Sequence, residues 1–339
     1  MRFKEQTVDI IIEEHGFGPW LKELKTDLNM QKVLVIASSS INVDLVKKEL
    51  AKCRFDNLLF LIDSYVDPTT SSIQQANAIF NQSQCDTIIA IGGGSVIDLA
   101  KGIMYEQIGN NVIFIACPTT YAGTELTKGF MVVRDDLTKK SVYDVAVQPN
   151  VILVDPILAH TLPHKVSVVV ALDALTHCLE GATSSLKNPI ADGSALYGIQ
   201  LALHHLPTET IDSKWRMDMA IVGLLGSKAM DCGLGHIHTI TYAIANNTSL
   251  SHGELNCLFA PFVIAKTIEK DPDVYKFVNI EKLLDIYKHY ILEWDLMSRY
   301  TKEHEDRFIA QAVQDSGYIS HPVTFKPQDF QEIFDNIIS

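Results

Sequence analysis

Short, nearly continuous apolar runs recur through the first half of the chain, at 33–38 (VLVIAS), 58–63 (LLFLID), 87–92 (TIIAIG), 112–117 (VIFIAC) and 151–155 (VILVD). Runs this short, apolar on both faces, suit parallel strands whose sheet is covered by helices on both sides. Amphipathic helical stretches such as 42–53 and 71–81 lie between them. The alternation predicts an α/β architecture built on an open parallel sheet. After about Pro163 strand-like runs vanish, alanine, leucine and histidine rise, and helical periodicity takes over at 166–182, 190–205 and 214–232. Two domains are therefore expected: α/β over 1–160 and all-helical over 161–339.

Composition narrows the function classes. The 339 residues carry 41 acidic and 28 basic side chains, a formal charge of −13, and 47% are apolar. That content is globular rather than disordered. The acidic balance disfavours nucleic-acid partners, which select a basic face. No apolar run approaches the ~20 residues that cross a bilayer, and the opening MRFKEQTVDIIIEEHGFG lacks a signal-peptide pattern. The expectation is a soluble, cytoplasmic protein. The six cysteines, Cys53, Cys85, Cys117, Cys178, Cys232 and Cys257, form no C-x-x-C pair and read as reduced thiols.

Two strand ends carry candidate chemistry. TIIAIGGGSVIDLAK passes from a strand into a helix through Gly92, Gly93, Gly94 and Ser95. Glycines there admit close backbone approach, and amides at the helix start suit phosphate. The run is neither G-x-G-x-x-G nor a Walker loop, so taken alone it is a tight turn or a phosphate site. Ligands of open α/β sheets bind at such strand ends. The second, IFIACPTTYAGTELT, offers Thr119, Thr120, Gly123 and Thr124, which suit ribose or adenine contacts or form an ordinary polar connection.

The helical half supplies imidazoles and a carboxylate. In DALTHCLEG, Asp173 and His177 stand four residues apart, on one helical face. Further on, GLGHIHTITYAIANNTSLSHGEL holds His236, His238 and His252 in an apolar stretch, where buried imidazoles need partners. These residues are either hydrogen-bonded core groups or a nitrogen–oxygen ligand set suited to Fe²⁺ or Zn²⁺.

The ordered motifs GGGSVIDLAK, PTTYAGTE, VDPIL…TLP, DALTHCLEG…NPIADGSA and H-x₁₃-H-G resemble those of the iron-containing (group III) alcohol dehydrogenases, relatives of glycerol dehydrogenase and dehydroquinate synthase. The resemblance implies a dinucleotide-binding α/β domain followed by an all-helical metal domain. It implies that Asp173, His177, His238 and His252 bind the metal and that Gly93, Gly94 and Ser95 hold the pyrophosphate of NAD(H) or NADP(H). Asp98 sits at a cofactor-contacting position, Thr119 and Thr120 match the adenosine side, and Lys140 matches a cofactor-contacting lysine more loosely.

Three departures bear on activity. Many members carry a further histidine where this chain has Tyr242, so His236 and Tyr242 are the local candidates for proton transfer. PTTYAGTE is one residue shorter than the common loop and looks like that of maleylacetate reductases. Ser38 ends the first strand where an acidic residue would bind the NAD 2′-hydroxyl, and a hydroxyl there tolerates NADP. The H-x-x-T-Y pattern looks like the branch containing phosphonoacetaldehyde reductases. The resulting expectation is a metal-dependent NAD(P)H oxidoreductase interconverting a small, possibly anionic, carbonyl compound and its alcohol, working as a homo-oligomer without nucleic-acid or membrane partners. A maleylacetate reductase-like enzyme, a non-redox NAD- and metal-dependent lyase like dehydroquinate synthase, and a catalytically silent nucleotide-binding or assembly protein are the competing readings.

Overall fold

The structure is a computed structural model that describes residues 8–63, 67–133, 139–245, 248–300 and 305–338. Two compact units emerge. One runs to His164 and takes in Ile211–Ala220; the other comprises Lys165–Thr210 and Ile221–Ser339.

The first unit is built on a six-stranded parallel sheet. Its strands are β1 (Asp9–Ile12), β2 (Lys32–Ser38), β3 (Asn57–Asp63), β4 (Thr87–Gly92), β5 (Ile113–Pro118) and β8 (Val151–Val154), in the spatial order β1-β8-β5-β4-β2-β3. The central strands are the continuous apolar runs, and every residue of β4 is buried. Strand alternation divides their side chains between two faces. Val33, Val35, Ala37, Ile89, Ile91, Ile115 and Cys117 share one core with Phe17, Leu21 and Leu24 of α1 (Phe17–Asp27) and Val46 and Leu50 of α2 (Val43–Cys53). Helices α3 (Thr70–Gln82) and α4 (Gly94–Glu106) pack together, with α4 also on β4.

Caps define the helix starts. Asn42 accepts from Leu45 N before α2, and Thr69 forms a capping box with Ser72 before α3. Asp155, expected to end a strand, lies just past β8. It accepts from the amides of His15, Phe17 and Ile157, tying the start of α1 to the strand end.

Three strands were not expected. β1 is a short edge strand (DIII) paired only with β8. β6 (Gly129–Val133) and β7 (Lys139–Tyr143) form a separate antiparallel ribbon. The ribbon is an addition to the expected open parallel sheet, which the six main strands form.

The second unit is helical: α5 (His164–Thr183), α6 (Pro189–His205), α7 (Ser213–Ala229), α8 (His236–Ile244), α9 (His252–Lys270), α10 (Ile280–Glu293), α11 (Glu305–Ala312), α12 (Ser316–Ser320) and α13 (Pro327–Ile338), with His164 and the first turns of α7 belonging to the first unit. Among the described residues, α5 is the one helix long and apolar enough to cross a membrane by composition, which amends the sequence expectation. It is a core helix: 83% of its apolar window is buried, and Asp173, His177 and Glu180 lie on it.

Candidate active site

The switch in strand order places β2 between β3 and β4, so the crevice at the carboxyl ends of β2 and β4 is the ligand position of such a sheet. Gly93 precedes α4, and no side chain caps that helix start. A Cβ on Gly93 would come 3.0 Å from Thr120 Cγ2, and one on Gly94 would come 3.2 Å from Thr124 Oγ1. The two strand-end loops therefore touch where both glycines lack a side chain. Uncapped amides at a helix start, with the Thr120 and Thr124 side chains beside the glycines, are chemically suited to an anionic group such as a pyrophosphate. Thr119 is buried beside them, and Ser95 opens the helix.

Three further cofactor candidates lie on β2, α4 and β7. Ser38 lies at the end of β2, next to β4, and its hydroxyl is 2.7 Å from that of Ser40. Asp98 is buried in the second turn of α4, where Oδ2 accepts from Met131 N at 3.1 Å. Burial pushes its carboxyl up, against the pull of nearby Lys101. Asp98 thus ties α4 to β6. Lys140 is exposed on β7, opposite Val132.

Lys101 had no assigned role. Its ammonium is fully buried and donates to the carbonyls of Thr124 (2.6 Å), Thr127 (2.6 Å) and Gly129 (2.9 Å) and to Thr127 Oγ1 (2.8 Å). One side chain of the glycine-turn helix therefore holds the loop that carries Thr124.

In the helical unit, α5 presents Asp173 and His177, α8 presents His238, and α9 begins with His252. One ligand atom from each lies within 4.8 Å of all the others. Asp173 Oδ1 is 3.8 Å from His177 Nε2, 3.6 Å from His238 Nε2 and 3.8 Å from His252 Nε2. Ligands ~2.1 Å from a tetrahedral Zn²⁺ stand ~3.4 Å apart, so these side chains fit a divalent ion with small adjustments.

The electrostatics agree with that use. Burial opposes ionisation of Asp173, but His177, His238 and His252 outweigh it and hold the carboxyl well below the usual range. Burial pushes the His177 ring down to about 4, keeping it in the neutral, ligating form.

Glu180, one turn beyond His177, completes the arrangement from behind. Its Oε2 is 2.7 Å from His238 Nδ1 and accepts from Gly235 N at 2.8 Å, while Oε1 accepts from Ile237 N at 2.7 Å. The carboxylate accepts a hydrogen bond from Nδ1–H, leaving the Nε2 lone pair facing Asp173. Asn256 Nδ2, a donor only, lies 3.0 Å from that Nε2. Against the cost of burial, Glu180 and Asp173 raise the basicity of the His238 ring, which favours a second proton. The amide donor opposes that proton, and the contact requires a lone pair at Nε2.

The two proton-transfer candidates separate. His236, two residues before His238, projects from a different helix face. It is fully buried, its Nε2 lies 3.1 Å from Val323 O, and its ring stacks on His321 at 3.8 Å. Its assignment to proton transfer is therefore corrected: the ring is engaged in packing away from the ligand atoms. Tyr242, four residues after His238, is exposed and stacks on His252 with centroids 5.4 Å apart.

Residues 10–156 match the family described as iron-containing alcohol dehydrogenase, and residues 167–313 match the C-terminal domain of the Fe-containing alcohol dehydrogenase family. The chain is 31% identical over 238 residues to a 4-hydroxybutyrate dehydrogenase of Cupriavidus necator, covering 60% of this chain and 62% of that protein. Over 276 residues it is 30% identical to maleylacetate reductase 1 of Cupriavidus pinatubonensis, covering 77% and 75% of the two chains. The fold superposes with a TM-score of 0.88 on sulfoacetaldehyde reductase from Bifidobacterium kashiwanohense in complex with NAD⁺, at 18% identity, over 100% of this chain and 99% of that one.

Proposed function

The chain belongs to the iron-containing alcohol dehydrogenase family, and from that footing we propose that it is a metal-dependent oxidoreductase that moves hydride between a nicotinamide dinucleotide and a small anionic carbonyl compound. The observation that carries this reading is the convergence of Asp173, His177, His238 and His252. Three imidazoles and one carboxylate suit Fe²⁺ and Zn²⁺ alike. A divalent cation bound there supplies Lewis acidity toward a carbonyl oxygen and the alkoxide it becomes.

The protein's own groups do the rest. The glycine turn and Thr120 hold the pyrophosphate, and Lys101 keeps the Thr124 loop against it. Glu180 holds His238 in its ligating tautomer. Tyr242, beside His252, holds the proton that the product hydroxyl takes up. NADPH is the preferred donor in this reading, because the end of β2 presents the Ser38 and Ser40 hydroxyls, which do not repel a 2′-phosphate.

An anionic substrate is supported by the relatives named for 4-hydroxybutyrate and maleylacetate, both carboxylates. The test is a panel of charged and uncharged small aldehydes and ketones, offered to Fe²⁺- or Zn²⁺-loaded protein with NADPH and with NADH. The reading expects net loss of reduced nicotinamide, fastest with an anionic carbonyl and NADPH. Binding of dinucleotide with no net redox change across the panel would refute it.

A further inference from the structure

Asn256 is fully buried on α9, one turn beyond His252. Its Oδ1 accepts from the Thr241 hydroxyl at 2.7 Å, which turns the amide nitrogen the other way. That nitrogen lies 2.6 Å from Asp173 Oδ1, 3.0 Å from His238 Nε2 and 3.2 Å from His252 Nε2. An amide NH₂ only donates, so two hydrogens are shared among three acceptors. These are the lone pairs with which the same side chains would bind a cation.

We propose that Asn256 is a positioning residue that stands in for the cation, holding Asp173, His238 and His252 on a common centre in metal-depleted protein and yielding the imidazole lone pairs when metal binds. The proposal rests on the metal-centre reading and adds to it how the ligand set stays assembled between ions. Without this donor the buried Asp173 carboxylate and the buried Nε2 of His238 would each lose a hydrogen bond, at a cost for both groups. Thr241, fully buried on α8, decides which end of the amide faces inward. The four-residue spacing from His252 to Asn256 lets one helix face deliver a ligand and its stand-in together.

A thermodynamic consequence follows. The amide serves three acceptors in the depleted protein and keeps only Asp173 once an ion occupies the imidazoles. Removing it therefore destabilises the depleted form more than the loaded form, and metal binding becomes tighter.

The full chain is stripped with a chelator and compared with Zn²⁺-loaded protein by thermal unfolding, and Zn²⁺ affinity is measured by competition with a chromophoric chelator. Asn256→Leu is expected to lower the Tm of the stripped form more than that of the loaded form and to bind Zn²⁺ about tenfold tighter, the equivalent of one buried hydrogen bond. Thr241→Val moves less, with the same sign. Equal losses in both forms with unchanged affinity would make Asn256 mere packing and overturn the proposal. Weaker Zn²⁺ binding would also overturn it, by making the residue a support of the loaded site. A wild-type protein whose Tm does not respond to Zn²⁺ or Fe²⁺ overturns the metal centre itself, an outcome separate from the other two.

Discussion

Glu180 stands 2.7 Å from His238 Nδ1 while its carboxylate accepts from the amides of Gly235 and Ile237. One side chain of α5 thus caps the start of α8 and selects the ring nitrogen that α8 presents inward. Outer carboxylates of this kind are worth ~10–100-fold in metal affinity. Glu180→Gln is expected to retain the fold and weaken Zn²⁺ binding by about tenfold, whereas Glu180→Ala, which also removes the cap, weakens it further and lowers Tm. Competition with a chromophoric chelator measures the first effect and thermal unfolding the second.

Gly93→Ala places a methyl group 3.0 Å from Thr120 Cγ2. Gly93 has an extended backbone conformation (φ −79°, ψ −168°) open to any residue, so the chain folds and the crowding falls on the phosphate cradle. Dinucleotide binding is expected to weaken roughly tenfold, about 1.4 kcal/mol, with Zn²⁺ affinity unchanged. Fluorescence titration with NADPH, alongside the metal competition assay, checks both halves.

The site was legible in the sequence where ligands lie close along the chain or in familiar spacing. Asp173 and His177 share a face by helical period alone, and His238 and His252 open neighbouring segments. The runs of β2, β4 and β8 were likewise visible, because a buried parallel strand is apolar throughout. What escaped was set by tertiary contacts. Glu180 and Asn256 lie one turn beyond His177 and His252, a spacing that signals a shared face but not a bond to another helix. Lys101 carries no signal in the sequence, because its role depends on the loop carbonyls of Thr124, Thr127 and Gly129 that fold around it. His236 was misassigned because two residues along a helix turn a side chain away from His238. The ribbon of β6 and β7 went unnoticed because it lies outside the alternation of parallel strands and helices that marks the main sheet.

Tyr242 is expected to act on turnover and not on metal retention, since it stacks on His252 and lies outside the convergent ligand atoms. General acid–base groups contribute ~10²–10⁴-fold, so Tyr242→Phe should lower kcat by about a hundredfold while bound metal and dinucleotide affinity persist. Steady-state kinetics with metal analysis of the same sample separates these effects. An unchanged kcat would assign the proton to water.

Glu254 caps α9 through Ser251 and pairs with Lys165 at 2.9 Å and Arg299 at 2.8 Å. Burial opposes its charge, but the Ser251 amide, Lys165 and Arg299 outweigh burial and lower its pKa to about 2. A carboxyl depressed on folding stabilises the protein above its unfolded pKa, near 4.5, and loses that contribution as pH falls toward about 2. Glu254→Gln should therefore be less stable than the parent at neutral pH, and the two should converge as pH drops through that interval. Urea midpoints across the acid range provide the measurement.

The central claim is that catalysis depends on a divalent ion held by Asp173, His177, His238 and His252. Its most direct test is to follow metal content and nicotinamide oxidation together as a chelator removes the ion and Fe²⁺ or Zn²⁺ restores it, in the wild-type chain and in His252→Ala. Activity is expected to track bound metal in the wild type and to vanish in the variant, while both proteins still bind dinucleotide. Full turnover in chelated protein, or in His252→Ala, would contradict it.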